Sequence, residues 1–204
     1  MKVVVVSAGL SVPSSTRLLA DRLADAVCDE LADQGHKGDV DVIELRALAV
    51  AIANSLVTGF PAAQLPTAIA AVTDADSLVA VTPVFSASYS GLFKSFFDLI
   101  DPDALTGKPV LIAATGGTPR HSLVLDHALR PLFAHVRAVV VPTGVYAASE
   151  DWGTGGSAHT EGLRARIQRA GREMASILVT RADGPLSEDD PASSRKRLSD
   201  LRFD

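Results

Sequence analysis

Four hydroxyl side chains, Ser11, Ser14, Ser15 and Thr16, fall within the six positions 11–16. They follow a run of four valines at 3–6 and precede a helical pattern. A helix start leaves its first N–H groups without intrahelical acceptors and carries partial positive charge. One hydroxyl there serves as a cap. Four exceed that need and read as added donors around a phosphate. The stretch lacks the lysine and spacing of G-x-x-x-x-G-K-[ST], and it lacks G-x-G-x-x-G. It is therefore neither a nucleoside-triphosphate loop nor a dinucleotide fingerprint.

Two further stretches carry candidate ligand contacts. Leu78, Val79, Ala80 and Val81 form a short apolar run of the kind buried on both faces of a parallel sheet. Pro83 has no N–H for a ladder, so the chain is expected to leave the sheet there. Ligands of open parallel sheets bind outside the carboxyl ends of strands. An ordinary strand-to-helix connection is the plain alternative. Thr115-Gly116-Gly117-Thr118 ends another short apolar run. Paired glycines either let backbone N–H groups approach a ligand or serve a tight turn. His121 reads as a ligand contact or a helix-start residue. No G-x-S-x-G elbow is present. The five histidines do not pair at metal-ligand spacing, and the single cysteine, Cys28, reads as a buried, inert thiol. So thin an inventory of catalytic side chains fits chemistry brought by a cofactor.

The elements that must position these residues alternate in type. Strands are predicted at 3–6, around Val40, Val42 and Ile43, and at 77–82, 110–114 and 138–141. A helix carries Leu18, Leu19, Leu23, Val27 and Leu31 on one face. Others are predicted at 62–73, 91–100, 123–136 and 161–179. Residues 45–54 are alanine-rich and ambiguous. The glycine-rich segment 149–159 around Trp152 reads as plain surface loop by default, with a cover over the site as the alternative. This alternation predicts an α/β fold with a five-stranded parallel sheet, order 2-1-3-4-5. The topological switch then sets 7–16 beside 82–89. The helix at 91–100 carries Leu92, Phe93, Phe96, Phe97 and Ile100. That is more apolar surface than one sheet-facing stripe needs, and it predicts a second subunit over the surplus. Residues 45–60 of the same chain are the alternative cover.

The chain has 204 residues, a net charge of −5 and 47% hydrophobic residues. That suits one domain, expected at 1–180, with a polar and partly disordered tail at 181–204. Mild acidity gives no reason to expect nucleic acid or an anionic membrane as partner. No apolar run approaches the roughly 20 residues of a membrane helix. A lone cysteine is consistent with a cytoplasmic location.

Residues 83–98 resemble the stretch P-E-Y-N-G-S-Y-P-G-x-L-K-N-x-x-D of the NAD(P)H-dependent FMN reductases. They match it without a gap at Pro83, Ser88, Tyr89, Gly91, Lys94 and Asp98. The family's phosphate loop is similar to G-S-x-R-x-x-S-x-N. Ser14 and Thr16 fit its last two named residues, and Ser11 stands where it has arginine. The resemblance implies a flavodoxin-like three-layer sandwich, FMN as cofactor and NAD(P)H as cosubstrate. It implies that Ser11, Ser14, Ser15 and Thr16 hold the FMN phosphate. Pro83, Val84, Phe85 and Ser86 would line the isoalloxazine edge, and Gly116, Gly117 and Thr118 its pyrimidine side. Val84 and Phe85 replace a glutamate and a tyrosine of the family, which makes the ring environment more apolar. The resemblance also implies a hydride passing to the flavin N5, a homodimer or tetramer, and a flavin-dependent monooxygenase as partner. An FMN-retaining quinone, azo-dye or metal-ion reductase, or a flavodoxin-like electron carrier, would use the same site.

Overall fold

The computed structural model describes residues 1–60, 64–153 and 158–184, with backbone alone for 158–160. The four valines form β1 (Lys2–Ser7), the centre from which the sheet is built. It pairs in parallel with β2 (Asp39–Glu44) on one side and β3 (Ser77–Phe85) on the other. β3 pairs in turn with β5 (Pro109–Gly116). The expected order holds, with one elaboration. The fifth position is shared by β6 (Val139–Val140) and β7 (Val145–Ala148), both parallel to β5. Pro142 stands in the gap between them; it has no N–H to offer the ladder. With the short β4 (Ser88–Tyr89) the sheet therefore has seven strands rather than five.

Alternate residues of each central strand feed opposite faces. Val3, Val5, Val79, Val81, Leu111 and Ala113 pack beneath α1 (Ser15–Asp33) and α6 (Ala158–Ala182). Val4, Val6, Leu78, Ala80, Val110 and Ile112 face α2 (Leu45–Thr58), α3 (Leu65–Thr73), α4 (Gly91–Phe97) and α5 (Arg130–His135). These are the three layers of an α/β sandwich. The alanine-rich 45–54 segment is thus helical, and the leading residues of the helix expected at 62–73 lie outside the described ones.

Four local expectations are corrected. The chain does not leave the sheet at Pro83: β3 runs on to Phe85, with Pro83 still opposite Thr115, and folds back as a hairpin with β4. On the other side the ladder to β1 ends with the bond from Ala8 N–H to the Val81 carbonyl, just before Pro83, which has no N–H to extend it. The helix expected at 123–136 is a π-helical turn (Leu125–Leu129) followed by the short α5. Pro131 lies at the start of α5; an uninterrupted α-helix would put its ring against the carbonyl four residues back. The wider turn, closed by Arg130 N–H on the Leu125 carbonyl, avoids that clash.

The third correction concerns the aromatic helix. Phe93, Phe96, Phe97 and Ile100 are all buried within the chain. Phe97 meets Phe133 edge-on at 5.1 Å, and α2 packs across α4. The cover is the 45–60 segment, so this helix gives no argument for a second subunit. The fourth is Leu18, which is 43% exposed and faces the crevice described below rather than the core. Cys28 is half-buried, and burial pushes its thiol above the ordinary value. No described helix is long and apolar enough to cross a membrane. The tail expected from 181 onwards lies, from 185 on, outside the described residues.

Candidate active site

The carboxyl ends of β1, β3 and β5 open onto one crevice of about 860 Å³. At one end α1 begins. Ser14 is its N-cap, with Oγ accepting from Arg17 N–H at 3.2 Å. The first intrahelical bond runs from Leu18 N–H to the Ser14 carbonyl, so the N–H groups of Ser15 and Thr16 precede it. Ser11 and Ser15 are exposed, and both line the crevice. Gly9 is required just before them, because a Cβ there would overlap Ser14 Oγ. The Thr16 and Thr115 hydroxyls meet at 2.8 Å and tie the helix start to the end of β5.

The middle of the crevice is apolar. Pro83 and Val84 are half-buried, and Phe85 is 47% exposed. Thr82 fixes this segment from behind: its Oγ1 donates to the Pro83 carbonyl at 3.0 Å and accepts from Ser90 N–H at 3.0 Å. Ser90 in turn caps α4, accepting from Phe93 N–H at 3.1 Å. Beyond Phe85 the chain turns through Ser86 and Ala87, both at positive φ (47° and 65°). Gly116 and Gly117 form the opposite lip. A Cβ at Gly116 would strike the Tyr146 hydroxyl, which donates to the Thr118 carbonyl at 2.7 Å and holds the loop after β5. Burial, with a smaller contribution from Asp151, pushes the Tyr146 phenol above its ordinary value.

The structure brings together Ser11, Ser14, Ser15, Thr16, Pro83, Val84, Phe85, Gly116 and Gly117. Ser86 is at the hairpin tip, and Thr118 turns its Oγ1 to Arg120 N–H; neither lines the crevice. Leu10, Pro13, Leu18, Thr115, Ser149 and Trp152 do line it and were not singled out. Leu10, Pro13 and Thr115 belong to stretches already marked. Ser149 and Trp152 belong to the segment for which covering the site was the alternative to plain surface, and β7, which delivers them, is hidden behind the break at Pro142. The 149–159 segment is therefore not plain surface: its first residues form a 3-10 turn (Ser149–Trp152) at the crevice wall. Buried Asp151 accepts from Ala148 N–H at 2.7 Å and faces Arg166 Nη2 at 3.6 Å, fixing that turn. The Arg22 guanidinium lies 5.1 Å from the Trp152 ring centroid.

Among the described residues that line the crevice, none carries a charged side chain. A hydroxyl-rich helix start at one end, an apolar slot and two bare glycines suit a flat ring carrying an anionic tail. The protein is similar along most of its length to proteins that handle such a molecule. Residues 1–153 match the family model of NADPH-dependent FMN reductase. The chain belongs to the NADPH-dependent FMN reductase family. It is 41% identical to an FMN reductase (NADPH) of Pseudomonas aeruginosa over 184 residues, 89% of this chain and 95% of that one. It is 40% identical to the NADH-dependent FMN reductase SfnF of Pseudomonas fluorescens, over 88% of this chain and 93% of the relative. Among solved structures, an oxidoreductase from Corynebacterium diphtheriae superposes with a TM-score of 0.83 at 49% identity, covering 87% of this chain and 96% of that one. The apo form of an NADH:FMN oxidoreductase, EmoB, gives a TM-score of 0.71 at 30% identity, covering 83% and 88%. An archaeal flavodoxin, 14% identical with a TM-score of 0.58, shares the flavodoxin-like fold. As an FMN reductase with NAD(P)H as electron donor, the protein is an oxidoreductase.

Proposed function

We propose that this reductase binds FMN in the crevice as an exchangeable substrate and hands the reduced flavin to a flavin-dependent monooxygenase. FMN supplies the ring that takes the hydride from NAD(P)H. The chain's own residues bind, orient and exclude water. Ser11, Ser15 and the first N–H groups of α1 would take the phosphate, with Ser14 free to donate its hydroxyl hydrogen. Pro83, Val84 and Phe85 would fix the ring plane from one side and Trp152 would bound the slot. N–H groups at Gly116 and Gly117 would face the pyrimidine edge, where backbone donors oppose the negative charge of reduction.

The observation that carries release rather than retention is the lining itself. Among the described residues lining this open slot no side chain is charged, so the ring is held by apolar contact and by backbone N–H groups and hydroxyls at its two ends. The deciding experiment is steady-state oxidation of NADH and NADPH by purified protein, with FMN added and no protein partner. Turnover that rises with free FMN, from protein that loses yellow colour on dialysis, is expected. Tightly retained flavin with turnover only on added quinone would favour the FMN-retaining alternative.

We infer separately that a second copy covers the outer face of α2. Val50, Val57 and Phe60 are 75%, 88% and 78% exposed, and residues 47–73 contain no charged side chain. An uncharged, solvent-facing apolar stripe of this kind suits a subunit interface. A Val57→Lys variant should sediment as a smaller species than the wild type; two equal monomeric species would refute the inference.

A further inference from the structure

Among the described residues, an uncommitted cation meets the phosphate end of the crevice, and it comes from a different helix. Arg17, in the first turn of α1, is already neutralised: its Nε lies 2.7 Å from Asp21 and its Nη1 2.8 Å from Glu44. The hydrogen bond to Asp21, ahead of the charges of Asp21 and Glu44, raises its affinity for the proton against the effect of burial. Arg46 stands differently. It is exposed, and it has no carboxylate partner among the described residues. Its Nη1 donates to the carbonyl of Leu10, a crevice residue, at 3.5 Å.

The topology explains the meeting. β1 and β2 end level with each other, Ser7 opposite Glu44, and α2 starts at once at Leu45. The first turn of α2 therefore stands at the same sheet edge as the 8–14 loop. A 3.5 Å bond to a neutral carbonyl is long and weak. A phosphate offers the same guanidinium short, charge-assisted and bidentate bonds. Glu44, the nearest acid in sequence, is held by Arg17 and does not compete.

We propose that Arg46 is the specificity residue for the flavin's phosphate, exchanging the Leu10 carbonyl for the phosphate when FMN enters and so separating FMN from riboflavin. This rests on the reading above that the FMN phosphate lies at residues 11–16. Acting on the tail and not on the ring, Arg46 leaves riboflavin binding untouched.

The test is titration of the apo-protein with FMN and with riboflavin, in wild type, Arg46→Ala, Arg46→Gln and Arg46→Lys. Glutamine can still donate to the Leu10 carbonyl but carries no charge, so it separates charge from loop support. Arg46→Ala and Arg46→Gln should each weaken FMN by roughly tenfold, with riboflavin changed less than about twofold, as loss of one charge-assisted contact predicts. Arg46→Lys should recover part of the loss. Equal weakening of both ligands would mean that Arg46 only props the loop, and would overturn the proposal. FMN affinity unchanged in Arg46→Ala, in a wild type that prefers FMN to riboflavin, would overturn it and leave the phosphate-loop reading standing. A wild type that binds both flavins equally would remove that reading, and the proposal with it. A rise in KM for NADPH but not NADH, at constant FMN affinity, would assign Arg46 to the cosubstrate and also overturn the proposal.

Discussion

The hydroxyls of Thr16 and Thr115 lie 2.8 Å apart, 99 residues distant in sequence and both buried. One is in the first turn of α1 and the other is at the end of β5, so this bond ties the helix start to the strand that leads into the glycine lip. Both side chains are almost wholly buried at the crevice wall, and each has the other as its hydrogen-bond partner.

Thr16→Val and Thr115→Val should therefore each cost about 1–2 kcal/mol, because each strands a buried hydroxyl. The double variant removes both polar groups and should cost clearly less than the two singles together. Denaturant unfolding of the four proteins checks this. Strict additivity would mean that the two hydroxyls do not depend on each other.

Trp152 is the single tryptophan of the chain, and it lines the crevice with Arg22 over its ring. An indole in contact with a flavin quenches the flavin's own emission. FMN bound to Trp152→Leu should therefore fluoresce more strongly than FMN bound to wild type. Equal emission from the two bound forms would place the ring elsewhere in the slot.

The layers of the fold were legible where strands are buried on both faces, because Val3 to Val6 and Leu78 to Val81 leave no other use for such runs. That residues 11–16 belong to a site was legible because four hydroxyls exceed what one helix cap needs, and all four line the crevice. Other features were hidden for definable reasons. β7 follows a proline break and a glycine, which read as the end of the sheet. Leu18 is apolar whether it faces core or crevice, so periodicity alone placed it on the wrong side. The aromatic surplus of α4 was real, but its cover came from an alanine-rich segment whose helicity the pattern left ambiguous. The hairpin after β3 carries Ser86-Ala87 where Asn-Gly would have announced it.

That hairpin gives a stability prediction. Ser86 and Ala87 both occupy the left-handed region, at φ 47° and 65°, which costs an L-residue with a side chain of its own. Ser86→Asn with Ala87→Gly should raise stability by about 1 kcal/mol by relieving that cost. A thermal melt reads the result. A lower midpoint would show that the turn does not adopt this conformation in solution.

Tyr146 gives the pH dependence. Burial, and then the charge of Asp151, hold its phenol above the ordinary value of 10.0. When pH rises past that value the unfolded chain loses this proton before the folded one does. The unfolded state then binds fewer protons, so stability falls with pH, by up to about 1.4 kcal/mol per pH unit between the unfolded and folded values. Below the unfolded value the contribution is fully present. Tyr146→Phe lacks the ionisation, and it also lacks the bond to the Thr118 carbonyl, so it should be less stable than wild type near neutral pH. The gap should narrow steadily above about pH 10, as the linkage requires. Unfolding measured at several alkaline values in both proteins decides it, and a gap that stays constant would mean that the phenol is as free in the fold as in the unfolded chain.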